Sequence, residues 1–217
     1  MTAALSSSSL SAESLSAEQD TADLVALVGS RLCHDLISPL GAIGNGVELM
    51  EMSGGTMSPE LRLIAESVTA ASARVKFFRI AFGQASPQQQ VSASELRALC
   101  GDLSQSGRLS VEWQIDAAKP RSMVKLALLA VLCLETALPR GGHLTITEDQ
   151  GVWRICATDV RTTCDHTLWD ILDGASAGEI KPAQVQFLLL PSAARTFAQA
   201  VSWSIDETQA EICLSAV

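Results

Sequence analysis

The chain is 217 residues long, 47% apolar, and carries a formal net charge of −9. Such a length and apolar share support a real core, in one large domain or two small ones. The acidic balance excludes nucleic acid as a partner, because neutralising phosphates needs a basic footprint. The six cysteines, at 33, 100, 133, 156, 164 and 213, form no C-x-x-C pair and have no histidine at ligand spacing. They read as reduced, buried thiols of a cytoplasmic protein and not as structural zinc ligands. No apolar stretch follows a basic start, so secretion is not expected. The longest apolar run, residues 126–134, is about half of the roughly 20 residues that a membrane span requires.

Residues 1–19 are rich in Ser, Ala and Glu, a composition that buries too little surface to offset chain entropy, and they are expected to be a disordered tail. A first helix is predicted from Asp20 or Thr21, either of which can cap it, to about Met52. Pro39 removes one of its backbone hydrogen bonds and is expected to kink it. Gly41, Gly44 and Gly46 each cost about 1 kcal/mol relative to Ala, which argues for close packing, for a partner's approach, or for both. Ser53-Gly54-Gly55-Thr56 predicts a tight connection, and Ser58-Pro59 an N-cap with proline at the first helical position. The second helix runs to about Phe82, with Leu61, Ile64, Val68, Ala71, Val75, Phe78 and Phe82 spaced as a heptad seam. A lone hairpin leaves such seams wet, and a second copy covers them, so residues 20–85 are expected to form a dimeric four-helix bundle.

Residues 86–92 read as a linker, and from 93 to 217 the hydrophobic period changes. A helix over 93–103 precedes a strand over 109–115, in which Val111, Trp113 and Ile115 alternate with polar residues. An apolar helix over 121–138, strands over 143–148 and 152–158, and a short helix near 166–172 follow. A helical stretch from 182 to 200, interrupted at Pro191, leads to a hairpin of strands 201–206 and 209–215. Helices on one face of a mostly antiparallel sheet give an α+β class. Trp113, Trp153 and Trp203 fall at inward positions, while Trp169 can lie at the surface.

On the first helix, Val25, Val28, Leu32, Leu36, Leu40, Ile43, Val47 and Met50 gather within an arc of about 120°, the expected buried face. His34 is two positions from both Leu32 and Leu36, so its imidazole points away from that face. Ser30, Gly41 and Asn45 lie within about 40° of it, flanked by Arg31, Ile37, Ser38 and Glu48. A displayed neutral imidazole followed by a carboxylate is a competent nucleophile near neutral pH, and Asp35 can orient the ring or take its other proton. The small, flat surround suits attack on a bulky electrophile carried by another protein, such as an acyl phosphate. His143 and His166 lack that context and read as surface residues.

His34-Asp35-Leu36-Ile37-Ser38-Pro39-Leu40 resembles the H-box of histidine-kinase dimerisation domains: histidine, an acidic residue, two variable positions, a small polar residue, proline and an aliphatic. With residues 41–49 and with Lys76-Phe77-Phe78-Arg79-Ile80-Ala81-Phe82-Gly83 in the second helix, the chain resembles more closely the alphaproteobacterial ChpT-type histidine phosphotransferases. The resemblance implies a homodimeric helical hairpin domain followed by a degenerate histidine-kinase ATPase-like α/β sandwich. It also implies a relay, in which His34 takes a phosphoryl group from the receiver aspartate of a CckA-like hybrid kinase. His34 then passes the group to response regulators similar to CtrA and CpdR. Magnesium and a lysine would come from the receiver, so this chain would bind no cofactor and offer His34 and Asp35. Ser30, Arg31, Ile37, Ser38, Gly41 and Asn45 match the exposed side of the motif helix and are taken by geometry as partner contacts. Arg62, Arg74, Lys76 and Arg79 give the second helix a basic cast, read as a solvated face ahead of receiver recognition.

The second half departs from the kinase pattern where nucleotide chemistry resides. Thr136 stands where a magnesium-binding asparagine falls, Asp159-Val160-Arg161-Thr162-Thr163 lacks the glycines of an adenine turn, and no phosphate-cradling glycine run follows. No ATP binding and no membrane association are expected. Two other classes stay open: a non-catalytic dimeric adaptor, and a self-phosphorylating kinase with an unusual nucleotide site.

Overall fold

The computed structural model describes residues 6–53, 58–86, 88–106, 108–158 and 161–217, with 6–23 and Ser106 described by backbone alone. Helix α1 (Ser6–Met52) continues through Pro39 and begins well before Asp20. Most of the expected disordered tail is therefore helical, while residues 1–5 lie outside the described residues. Extending a formed helix adds one hydrogen bond for each residue fixed, without a new nucleus, and Ala, Leu and Glu carry it at little cost. The Gly54-Gly55-Thr56 connection, Pro87 of the linker and Asp159 also lie outside the described residues. Helix α2 (Pro59–Ala81) starts as its sequence dictates, with the Ser58 side chain accepting from the Leu61 amide at 3.2 Å and Pro59 behind it.

The two helices pack antiparallel through small residues. A methyl group added at Gly29 would stand 3.3 Å from Cβ of Phe82, and one at Gly44 would stand 3.7 Å from Cγ1 of Val68. Ala26, Cys33 and Val47 are buried on this face, with Ile37, Leu40 and Gly44 half-buried. The expected buried stripe is thus displaced. Of its members only Leu40 and Val47 are covered, while Val28, Leu32, Leu36, Ile43 and Met50 are each about half exposed. Hydrophobicity alone finds the largest apolar arc, whereas close helix approach selects the arc with the smallest side chains. On α2 the heptad seam is likewise only partly covered, and the most buried residues are Ala73, Phe77, Ile80 and Ala81. Those four belong to the core of the second half of the chain, so α2 serves two layers at once.

That second half is a five-stranded sheet in the order β2-β4-β5-β7-β6, packed under helices α3 (Ala93–Ser106), α4 (Arg121–Ala137) and α6 (Gln186–Thr196). Its strands are β2 (Leu109–Trp113), β4 (Gly142–Asp149), β5 (Val152–Thr158), β6 (Gln199–Ile205) and β7 (Gln209–Ala216). Only β2 and β4 run parallel; the other neighbours are antiparallel. Alternation of apolar and polar residues sets the register, so Val111, Leu144, Ile146, Ile155, Ile212 and Leu214 all face the helices. Helix α4 is buried nearly all round, as its composition requires.

Four local expectations change. Inside the predicted linker, β1 (Gln90–Val91) pairs with β3 (Lys119–Pro120). Helix α6 runs through Pro191, and the break falls instead after a 3-10 turn at Pro182–Gln184. Trp169, in α5 (His166–Trp169), is fully buried, stacked edge-on to Phe187 at 5.4 Å between ring centres, so this short helix is anchored in the core. Trp203 is only half-buried, because β6 is the sheet edge, and its indole N–H donates to Asp173 at 3.1 Å.

The helical hairpin is tied to the sheet domain at the end of α2. There Arg121 donates to the carbonyls of Arg79 (2.9 Å) and Gln84 (3.1 Å), and Lys125 donates to that of Gly83 (2.7 Å). Cations from the first turns of α4 thus satisfy carbonyls at and just beyond the C-terminus of α2, where the helix dipole favours positive charge. Arg74 adds an ion pair to Glu135 at 3.0 Å.

Candidate histidine phosphotransfer site

His34 stands on the flank of α1, with 83% of its side chain exposed. Its Nδ1 lies 3.2 Å from Oδ1 of Asp35, and the other Asp35 oxygen accepts from Arg31 Nε at 2.8 Å. The i to i+4 spacing of Arg31 and Asp35 is what lets the arginine reach the carboxylate along one helix face. The hydrogen bond to His34 is the largest influence holding the Asp35 carboxyl below the usual carboxylate range, with Arg31 adding to it. In the tautomer in which Nδ1 donates to the Asp35 carboxylate, the lone pair is on Nε2 of this largely exposed ring. This arrangement provides a nucleophilic nitrogen, a group that orients the ring, and a negative charge to offset the positive charge the ring gains on attack.

The other candidates divide into two sets. Arg31, Ser38, Gly41 and Asn45 are exposed, and nothing lies within 4 Å of a methyl group placed on Gly41. Ser30 and Ile37, expected on the displayed side, are half-buried instead. Ser30 accepts from the Gln84 amide at 3.2 Å, so its hydroxyl fastens the segment after α2 to α1. Beneath the site, burial pushes the Cys33 thiol up, which makes it a packing residue and not a second nucleophile.

Of the other two histidines, His166 is the nearer likeness, exposed and with Nδ1 3.6 Å from Oδ1 of Asp170, but that distance is beyond a hydrogen bond and among the described residues no arginine holds the carboxylate. His143 has both ring nitrogens engaged, Nδ1 with Ser110 (2.7 Å) and Nε2 with Glu112 (3.2 Å), while His166 lies beside the Trp203 ring. Thr136 donates its hydroxyl within α4 to the Cys133 carbonyl at 2.7 Å. Alongside α4, Trp169, Leu172, Phe187 and Leu190 belong to the apolar core. Among the described residues no three His, Cys, Asp or Glu side chains gather closely enough to hold a metal ion, and no helix is long and apolar enough to cross a membrane. Arg79, read from the sequence as part of a solvated basic face, is exposed and lies near enough to Cys33 for its charge to act on that thiol.

Residues 93–209 match the family described as the histidine phosphotransferase C-terminal domain. Over 126 residues the chain is 40% identical to the protein phosphotransferase ChpT of Brucella abortus (strain 2308), an alignment that spans 57% of this chain and 60% of that protein. A solved bacterial phosphotransferase superposes over 86% of this chain and 92% of its own, with a TM-score of 0.61 and 25% identity. The family match covers more than half of the 217 residues. The chain belongs to the histidine phosphotransferase family.

Proposed function

We propose that this protein is a phosphorelay phosphotransferase that carries a phosphoryl group on Nε2 of His34 between the receiver aspartates of other proteins. The observation that carries this reading is the solvent-facing imidazole whose Nδ1 is engaged by Asp35, on a chain of this family. In the first step the Nε2 lone pair attacks phosphorus of an aspartyl phosphate. The P–N bond forms as the P–O bond to the aspartate breaks, and the receiver carboxylate leaves as its anion. The ring keeps its Nδ1 proton, and Asp35 offsets the resulting positive charge. The second step reverses these bond changes at another receiver's carboxylate. Positioning and charge neutralisation do most of the work in such displacements.

The resemblance to ChpT-type phosphotransferases supports a donor that is a hybrid kinase's receiver of CckA type, which would bring the magnesium, and acceptors that are regulators of CtrA and CpdR type. Arg31, Ser38, Gly41 and Asn45 form the docking face, and the relay operates in the cytoplasm. The sheet domain acts without ATP as a fixed wing beside the histidine. A homodimer completes the hairpin, because the half-exposed Val28, Leu32, Leu36, Ile43 and Met50 each gain roughly 1 kcal/mol when a second copy covers them. A Leu32→Glu, Leu36→Glu double variant is expected to sediment as a monomer; a dimer that persists argues for another interface.

The test of the transfer is to mix the purified protein with a phosphorylated hybrid-kinase receiver and follow the label. Label on the wild type and none on His34→Gln is the expected result. Equal labelling of both removes His34 from the chemistry, and full relay activity by the variant favours a scaffold.

A further inference from the structure

Arg79 lies in the last turn of α2 and is exposed, and among the described residues no carboxylate pairs with it. Partners are not scarce, since the chain holds 24 acidic residues against 15 Lys and Arg. The contacts of Gly29 with Phe82 and of Gly44 with Val68 fix the antiparallel register of the two helices. At about 1.5 Å of rise per residue, that register sets Arg79 level with Leu32 and Cys33, about one residue from His34.

Two electrostatic contacts agree with this placement. The Arg79 charge reaches Cys33, the residue before His34, where it works against the effect of burial on the thiol. It also reaches Arg121, which burial and the neighbouring Arg79 charge both push down. Arg121 is fixed in place by the carbonyls of Arg79 and Gln84. Two guanidinium groups are therefore held within reach of each other's charge, one of them level with the residue before His34, although like charges repel. The helix dipole rewards a cation in the last turn of α2, but it does not require one level with His34.

We propose that the Arg79 guanidinium binds the phosphoryl group carried by His34, holding its oxygens while the bond to Nε2 forms and breaks. This rests on the phosphotransfer reading of His34 and adds to it a residue from the second helix. Guanidinium donors match phosphoryl oxygens in geometry as well as charge, so a lysine replaces only part of the interaction.

Phosphoramidate tests this without any receiver. The Nε2 lone pair attacks its phosphorus, the donor's own P–N bond breaks, and ammonia leaves. Wild type, Arg79→Gln, Arg79→Lys and Lys76→Gln are compared by the initial rate of phosphohistidine formation in the full-length protein, with circular dichroism reporting the fold of each. Lys76, another exposed cation on α2, controls for general charge. Arg79→Gln is expected to react about tenfold more slowly, Arg79→Lys to recover part of the loss, and Lys76→Gln to match wild type. A wild-type rate in Arg79→Gln, a loss in Lys76→Gln as large as in Arg79→Gln, or an Arg79→Gln protein that is slow only because it is unfolded overturns the assignment. Should wild type fail to form phosphohistidine at position 34 with phosphoramidate and with a phosphorylated receiver alike, the proposed function falls and Arg79 with it. A wild type that reacts while the variants do not differ overturns only the role of Arg79.

Discussion

Oδ1 of Asp35 stands 3.2 Å from Nδ1 of His34, and the same carboxylate is held from its far side by Arg31 at 2.8 Å. This line of three side chains runs along one turn of a single helix. Replacing Asp35 with Asn keeps a polar group beside the ring but removes the charge that offsets the imidazolium formed on attack. Asp35→Asn is expected to slow phosphoryl transfer about tenfold or more. Arg31→Ala, which acts only through the carboxylate, is expected to slow it a few-fold at most. Rapid-mixing transfer from a phosphorylated receiver measures both, and equal losses would show that the arginine meets the substrate directly.

The lowered Asp35 carboxyl has a consequence for pH. Its folded-state value lies below the unfolded one, so its contribution to stability is fully present above the ordinary carboxylate value of about 3.9 and is lost as pH falls through the lowered value. The difference in melting temperature between wild type and Asp35→Asn is expected to be present at about pH 5 and above and to disappear in stronger acid. A difference that persists unchanged in stronger acid would contradict the contacts seen here.

Gly41 and Ser30 separate function from structure on one helix. Gly41 faces open space, so Gly41→Ala is expected to stabilise the protein by about 0.5–1 kcal/mol through helix propensity. Gly41→Arg is expected to obstruct docking and slow transfer from a receiver while leaving the fold intact. Ser30→Ala removes the acceptor for the Gln84 amide and is expected to cost about 1 kcal/mol, with transfer nearly unchanged. Urea titrations and transfer rates on the same preparations distinguish these outcomes.

Arg121 and Lys125 clamp the end of α2 to α4. Loss of the two carbonyl contacts of Arg121 is expected to cost about 2 kcal/mol. It should also expose the segment near Gly83 and Gln84 to protease before the sheet domain unfolds. Cleavage of Arg121→Ala within residues 83–90, at a protease level that leaves wild type whole, is the expected readout. Unchanged resistance would mean that the buried face of α2, through Phe77 and Ile80, holds the two parts alone.

Much of this was legible in the sequence because the signals were local. Ser58-Pro59 fixed the start of α2 and strand alternation set the sheet's inward faces, while His34 is exposed as expected although Leu32 and Leu36, the face it was measured against, are exposed too. What escaped was decided between elements. The apolar arc of α1 was visible, but not that Gly29 and Gly44 would draw α2 to a different arc and leave Leu32 and Leu36 uncovered. Ser30 shared the angle of His34 yet was taken by Gln84, a residue 54 positions away. Arg79 looked like one solvated cation among four until the helix register set it beside Cys33. Trp169 sat in a helix too short to show a periodic face, and its burial depends on Phe187, which comes from another helix.

The most direct measurement is 31P NMR of the phosphorylated protein, combined with site mapping by mass spectrometry. A single phosphohistidine resonance of the Nε2 type, assigned to position 34 and discharged when an unphosphorylated receiver is added, is the predicted result. A phosphoryl group on Nδ1 or on His143 or His166, or one on His34 that no receiver removes, would contradict the account.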